Sequence, residues 1–313
     1  MQRRTDGPIV SIITPFLNAE AFIAEAIDSV LGQSMDSWEL LLIDDGSRDR
    51  SARIAQGYAT SDPSRIRYLA HADHQNLGQG ASRNLGLAHA RGRYVTFLDA
   101  DDVFLPSKLE TQARILTDRP DVDVVFGNTL YWYSWNKAAD PKATDWLPTF
   151  RFPLDTVFRP PALLPLVLGT GGAAPCICSL MVRQSVIDAL GRFDARINRL
   201  YEDQVLLAKL FLQHAALLHD GHLEKYRQRT DSTWQASVNN GTDRAARREY
   251  LQWLLEYTQA SGMIDLAHED AIRSQLRRSE SRQPGIFMTT LMRLKRSLKQ
   301  ATHFGPGYPR TRR

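Results

Sequence analysis

Carboxylates cluster at three places in this 313-residue chain, and each cluster has the spacing of working chemistry. Asp99-Ala100-Asp101-Asp102 follows the apolar run Tyr94-Val95-Thr96-Phe97-Leu98, so a strand would deliver several acids into one crevice. Neighbouring acids repel unless a cation neutralises them, and oxygen ligands of this kind suit Mg²⁺ or Mn²⁺. Such an ion can also bind the diphosphate of a nucleotide-linked donor and stabilise the departing charge. The competing reading is a helix cap ahead of Pro106, although a single carboxylate would suffice for that. Asp44-Asp45-Gly46-Ser47 can set a carboxylate against the N–H of a nucleobase, or the same residues can form a turn and N-cap before Arg48. Glu202-Asp203 opens a helix and supplies a candidate general base for an attacking hydroxyl. First-turn acids also complement the helix dipole, so both readings stay open there. Arg83 follows Gly78-Gln79-Gly80-Ala81-Ser82 and fails the G-x-G-x-x-G spacing; it can contact phosphate or form a surface salt bridge.

The elements that must position these groups follow an alternating pattern. Apolar runs at Ile9–Thr14, Trp38–Ile43, Ile66–Leu69 and Tyr94–Leu98 are strand-like, with helices expected near 19–33, 48–58 and 78–91 between them. Strands alternating with helices of this length predict an α/β fold with a mostly parallel sheet flanked by helices. Ligands in such sheets bind beyond the carboxyl ends of the strands, where Pro15–Asn18 and the first two acidic clusters fall. Further strands are expected at Val122–Thr129 and Ile177–Val182, and residues 163–182 as a whole read as loop and strand because Pro165, Gly169, Gly171, Gly172 and Pro175 interrupt them. Residues 131–165, aromatic and proline-rich, suggest a binding loop. Beyond Glu202 the pattern gives a helix through Phe211, then helices at 244–259, 265–276 and 286–299.

Composition is that of an ordinary globular protein, with 43% apolar residues and a formal net charge of +4. From Arg282 onward there are eight Lys or Arg and no acid, leaving 31 basic against 35 acidic residues in the body. The positive charge therefore belongs to the tail, which argues against nucleic acid as the partner of the main domain. Phe287, Leu291, Leu294 and Leu298 share one face of a basic helix that can lie on an anionic membrane surface or pack on the protein. Cys176 and Cys178 match no zinc pattern and read as small buried residues in a reducing setting. The polar N-terminus carries no secretory signal, so the expected location is the cytoplasm, with peripheral contact at the inner face of the cell membrane.

Taken in order, Val10-Ser11-Ile12-Ile13-Thr14-Pro15-Phe16-Leu17-Asn18-Ala19-Glu20, Asp44-Asp45-Gly46-Ser47, Asn76-Leu77-Gly78, Ala81-Ser82-Arg83-Asn84-Leu85-Gly86 and Leu98-Asp99-Ala100-Asp101-Asp102 resemble the family 2 glycosyltransferases. The likeness continues through Cys178–Arg183, Gly191-Arg192-Phe193-Asp194 and Glu202-Asp203 to about Gln235. It implies a GT-A catalytic domain over 9–235, between a flexible N-terminus at 1–8 and a helical region at 236–300, with a basic disordered tail at 301–313. It further implies an inverting transfer from a UDP- or dTDP-sugar to a glycan or lipid-linked acceptor in cell-surface polysaccharide synthesis, with a divalent metal, Mn²⁺ or Mg²⁺. Carried over by position, Thr14, Pro15, Phe16 and Asn18 would line the donor site, with Asp44 beside Asp45, which would hold the base. Asp99 would support the ribose or the metal's water shell, Asp101 would ligate the metal, and Asp203 would be the general base with Glu202 as the fallback. Two positions depart from the pattern. Leu17 stands where the family usually has Tyr, and Arg229 stands where it usually has His. A guanidinium cannot ligate a metal, so Arg229 would act as a cation on the diphosphate.

Two other functions compete. Asp99-Ala100-Asp101-Asp102-Val103 also fits the nucleophile motif of haloacid-dehalogenase-type, Mg²⁺-dependent phosphohydrolases, but that reading expects further acids after a later strand, where Leu130-Tyr131-Trp132 stand. A non-catalytic polysaccharide- or membrane-binding module would use the aromatic segment 131–146 and the basic tail, and would leave the carboxylates without a role.

Overall fold

In the computed structural model, the described residues are 7–138, 140–148, 153–169, 175–197, 200–262 and 266–280. The first half runs β1 (Val10–Phe16), α1 (Ile23–Leu31), β2 (Trp38–Asp44), α2 (Ser51–Ser61), β3 (Ile66–Ala70), α3 (Gln79–His89), β4 (Tyr94–Phe97), β5 (Val103–Phe104) and α4 (Lys108–Asp118). It continues through β6 (Val124–Gly127), β7 (Leu130–Trp132), β8 (Thr156–Phe158), α5 (Leu163–Gly169), β9 (Met181–Arg183), α6 (Gln184–Ala189) and α7 (Glu202–Gln213). The remainder is β10 (Ala216–His219), β11 (Glu224–Arg227), α8 (Thr233–Asn240), α9 (Asp243–Ser261) and α10 (Leu266–Glu280).

The strands β1, β2 and β4 are mostly apolar and buried along their whole length, as a sheet covered on both faces requires. An eight-stranded sheet runs in the order β3-β2-β1-β4-β9-β6-β10-β8. β1 pairs in parallel with both β2 and β4, and β6 with β10, while β9 runs antiparallel between β4 and β6. The chain grows outward from β1 to β3 and then returns to the other side of β1 at β4. That reversal makes the carboxyl ends of β1 and β4 a switch point, where a crevice opens. A small second sheet, β5-β11-β7, stands beside this end.

One apolar cluster joins the inward faces of β1, β2, β4 and β6 to α5, α7, α9 and α10, with Phe126, Phe211, Leu251, Leu254 and Ile272 buried in it. The other packs α1, α2 and α4 against the opposite face. Two buried ionic links set the framework. Glu39, 1% exposed, accepts hydrogen bonds from Ser11 Oγ (2.6 Å) and the Arg91 N–H (2.6 Å) and pairs with Arg67, tying β1, β2 and β3 together. Lys108 Nζ meets Glu224 Oε2 at 3.0 Å with both side chains fully buried, which fixes the second sheet to α4.

The sequence reading departs from the structure at several segments. Residues 163–169, expected as loop and strand, form α5, because Pro165 falls in the first turn, where its missing N–H has no helical acceptor to satisfy. Ile177–Ser179, expected as strand, is a 3₁₀ turn, and only Met181–Arg183 pairs as β9. Residues 131–165 carry β7 and β8, and Tyr131 pairs with Trp146 across a further isolated bridge. The helix expected at 286–299 and the tail at 301–313 lie outside the described residues.

Candidate active site

Four segments meet at the switch point. At the end of β1, Thr14, Pro15 and Phe16 are buried, and the exposed side chains are Leu17 and Asn18. Asn18 adopts a left-handed backbone (φ 49°), which asparagine tolerates. Its Oδ1 accepts the Arg48 N–H (2.8 Å) and its own N–H donates to Ser47 Oγ (3.1 Å), so the β1 end is locked to the turn after β2.

That turn carries the first acidic pair. Asp44 Oδ1 accepts the Ser47 N–H (2.8 Å), and Oδ2 accepts the Tyr68 hydroxyl (2.8 Å) and meets His74 Nε2 (2.9 Å). Burial works against its ionised form, but these bonds outweigh it and hold the carboxyl below its usual range. Asp45 Oδ1 accepts the N–H groups of Leu77 and Gly78 and the Ser82 hydroxyl, while Oδ2 takes only a 3.1 Å bond from Gly78. Asp44 is thus spent on the protein's own donors, and Asp45 Oδ2 is the oxygen of the pair with capacity left. Gly46 (φ 85°) permits this turn, since a Cβ there would lie 2.9 Å from the His74 carbonyl oxygen.

Arg83 joins the other two segments. The surface salt bridge expected as one role for it does not occur, because the side chain is fully buried. Its guanidinium donates to Asp99 Oδ1 (2.8 Å), just beyond β4, and to Glu202 Oε1 (3.0 Å), at the start of α7. Burial would weaken the cation, but the charges of Asp99, Glu202 and Asp203 more than compensate and raise its pKa. The loop bearing Asp101 and the helix start bearing Asp203 therefore share one guanidinium, although 119 residues separate Arg83 from Glu202. Asp203 is half-buried, with Oδ1 accepting the Gln204 N–H (2.7 Å). Burial, with the neighbouring Glu202 charge, pushes its carboxyl up to about 6.

Asp99 and Asp101 keep 21% and 25% of their side-chain surface exposed. Burial and the Asp99 charge raise the Asp101 carboxyl, the signature of clustered oxygen donors that lack sufficient positive charge. Two hard oxygen donors at a partly open edge fit a divalent cation that completes its shell with water and phosphate. Beside the Asp101 carboxylate lies Arg229, whose Nε is 3.5 Å from Asp101 Oδ2 and 3.2 Å from Asp231, with the group stacked over Phe22 at 4.5 Å. Its Nε makes no hydrogen bond.

Sequence reasoning missed Arg227 and its surroundings. Its Nε donates to the Asp101 carbonyl (2.6 Å) and its backbone N–H to Asp102 Oδ1 (2.8 Å), and its guanidinium is enclosed by Phe22, Trp132 and Trp135. Nothing local in the sequence signals this contact. For Arg83 a signal existed, since Gly80, Arg83, Gly86 and Leu87 share one helical face whose small and apolar members face inward.

The model of the family described as "Glycosyl transferase family 2" matches residues 11–186. The chain belongs to this family. The uncharacterized glycosyltransferase EpsJ of Bacillus subtilis (strain 168) is 47% identical over 118 residues, which cover 38% of this chain and 33% of that protein. The putative teichuronic acid biosynthesis glycosyltransferase TuaG of the same strain is 41% identical over 113 residues, covering 36% of this chain and 43% of that protein. The chain thus matches less than half the length of either relative. Among solved structures, S. aureus TarS 1-349 in complex with UDP-GlcNAc superposes with a TM-score of 0.64 at 19% identity, covering 86% of this chain and 72% of that one. The mannosyltransferase PcManGT from Pyrobaculum calidifontis, in complex with GDP-Man and Mn²⁺, gives 0.55 at 15% identity, covering 87% and 70%. The fold of this family 2 member is that of these glycosyltransferases. Among the described residues, no helix is long and apolar enough to cross a membrane.

Proposed function

We propose that this family 2 protein transfers a sugar from a nucleotide-sugar donor to an acceptor hydroxyl in polysaccharide synthesis. The observation that carries this reading is the bridge through Arg83, which brings the acidic loop after β4 to the acidic start of α7. The donor is a UDP- or dTDP-sugar, a choice supported by the UDP-GlcNAc complex of the structural neighbour and by the free acceptor capacity of Asp45 Oδ2 toward a pyrimidine N–H. The acceptor is a glycan or a lipid-linked oligosaccharide, a choice in keeping with the name of the TuaG relative, a putative teichuronic acid biosynthesis glycosyltransferase.

Thr14, Pro15 and Phe16 form the floor of the nucleotide site, Asn18 and Asp44 fix its rim, and Asp45 contacts the base. Asp99 and Asp101 would hold Mn²⁺ or Mg²⁺, an ion that offsets the charge of the diphosphate when bound. Arg229 adds a positive charge beside Asp101 and would act as a cation on the diphosphate. Asp203 is the general base, because Glu202 is committed to Arg83 and is only 6% exposed. As the acceptor oxygen attacks the anomeric carbon, its proton passes to Asp203 and the bond from that carbon to the diphosphate oxygen breaks. One displacement inverts the configuration. A carboxyl near 6 is ionised at neutral pH yet basic enough to accept a proton in the transition state. Asp203→Asn should retain donor affinity while losing about 10²–10⁴-fold in transfer rate. Full turnover in that variant, measured as nucleoside diphosphate release with acceptor present, would refute the assignment.

A further inference from the structure

The two cysteines lie behind the acidic loop. Cys176 and Cys178 flank Ile177 at the 3₁₀ turn before β9; they are free thiols, with sulfurs 2.8 Å apart, inside ordinary van der Waals contact. A carboxylate oxygen of Asp102 and the two sulfurs lie within 4.8 Å of one another, the one such group of three metal-ligating side chains among the described residues. Asp102 is fully buried; Oδ1 accepts the Arg227 N–H at 2.8 Å and Oδ2 has no partner. A buried carboxylate oxygen without a partner is costly, and a cation would relieve it.

We infer that Asp102, Cys176 and Cys178 form a site for a thiophilic divalent cation, with Zn²⁺ the ion of matching chemistry. The site is distinct from the oxygen pair of Asp99 and Asp101, since thiolates select Zn²⁺ whereas carboxylates and water suit Mg²⁺ and Mn²⁺. Tetrahedral zinc, with Zn–S of about 2.3 Å and Zn–O of about 2.1 Å, sets ligand atoms about 3.6–3.8 Å apart. The sulfurs need to part by about 1 Å, and the Asp102 oxygen, within 4.8 Å of both, to settle at about 3.6 Å from them. Binding breaks each S–H bond and the O–H bond of the buried Asp102 carboxyl, forms two Zn–S bonds and one Zn–O bond, and releases all three protons to solvent. The Arg227 N–H donated to Oδ1 fixes the orientation of that carboxylate, and half-buried Cys176 leaves the fourth position for water. Because Arg227 also holds the Asp101 carbonyl, a loaded site stiffens the acidic loop from behind.

The test uses the full chain, reduced and stripped with chelator, titrated with Co²⁺ in excess Mg²⁺. The expected result is stoichiometric uptake with thiolate-to-cobalt charge-transfer absorption in the near ultraviolet, displaced by Zn²⁺. It should disappear in Cys176→Ser and Cys178→Ser and persist in Asp101→Asn, with metal-free Tm values verifying that each variant is folded. Absence of that absorption in the wild type, or its survival in the double serine variant, would overturn the site. So would a wild-type chain that forms an internal disulfide with oxidised glutathione yet takes up no Co²⁺ when reduced.

Discussion

The pH dependence of transfer tests the assignment of Asp203 and the reason for its basicity. Its carboxyl stands at about 6, and the base works only when ionised. The ionised fraction falls from about 99% at pH 8 to about 9% at pH 5, so kcat/KM should drop about 11-fold across that interval, with a midpoint near 6. Burial is the larger cause of the raised value and the Glu202 charge the next. Glu202→Gln removes the second cause while leaving an amide oxygen to accept from Arg83, so the acid limb should move to lower pH. Initial rates of nucleoside diphosphate release at subsaturating donor, from pH 5 to 9, measure both profiles. Linkage adds a second readout. A carboxyl raised from 3.8 costs the folded state nothing below the unfolded value and its full penalty above about 6. Asp203→Asn should therefore raise Tm at pH 8 and leave it almost unchanged near pH 3.5. A limb centred near 4, or one that stays put or moves upward in Glu202→Gln, would refute the reasoning.

Two further substitutions probe the framework that positions the site. Lys108→Met strands the buried Glu224 carboxylate and should cost about 3–5 kcal/mol in denaturant unfolding; adding Glu224→Gln, which keeps an acceptor for Thr129, should recover part of that loss. Gly86→Ala places a methyl 2.6 Å from Ile13 Cγ2 and 3.0 Å from Ile43 Cδ1, and should destabilise by about 1–3 kcal/mol with little change in the denaturant m-value.

The path from β1 to β4 was legible because each strand is a short apolar run and each helix an amphipathic one, so local pattern and final structure agree. The acidic clusters at the strand ends were legible for the same reason, since the sheet geometry dictates where ligands sit. Other elements depend on partners far along the chain. Ala216–His219 carries no strand expectation in the sequence reading and becomes a strand because β6 and β8 pair with it from either side. Of the strand expected at Ile177–Val182, only the end forms, as Met181–Arg183, because it is there that β4 and β6 pair with it. The same distance hid the links within the site. Arg83 could be read as inward-facing, but Glu202 as its partner could not, and the near-complete use of Asp44 by Tyr68, His74 and Ser47 is a property of folded loops. Asp102 looked like one more member of an acidic run, whereas the fold turns it away toward Arg227 and the cysteines.

The central claim is that Asp99 and Asp101 hold a divalent ion on which a nucleoside diphosphate docks. Calorimetric titration of UDP into the full chain, with Mn²⁺ and with chelator, tests it most directly. Saturable binding that requires Mn²⁺ and disappears in a folded Asp101→Asn variant is the expected result. Equal affinity with and without the ion, or unchanged Mn²⁺-dependent binding in Asp101→Asn, would contradict it.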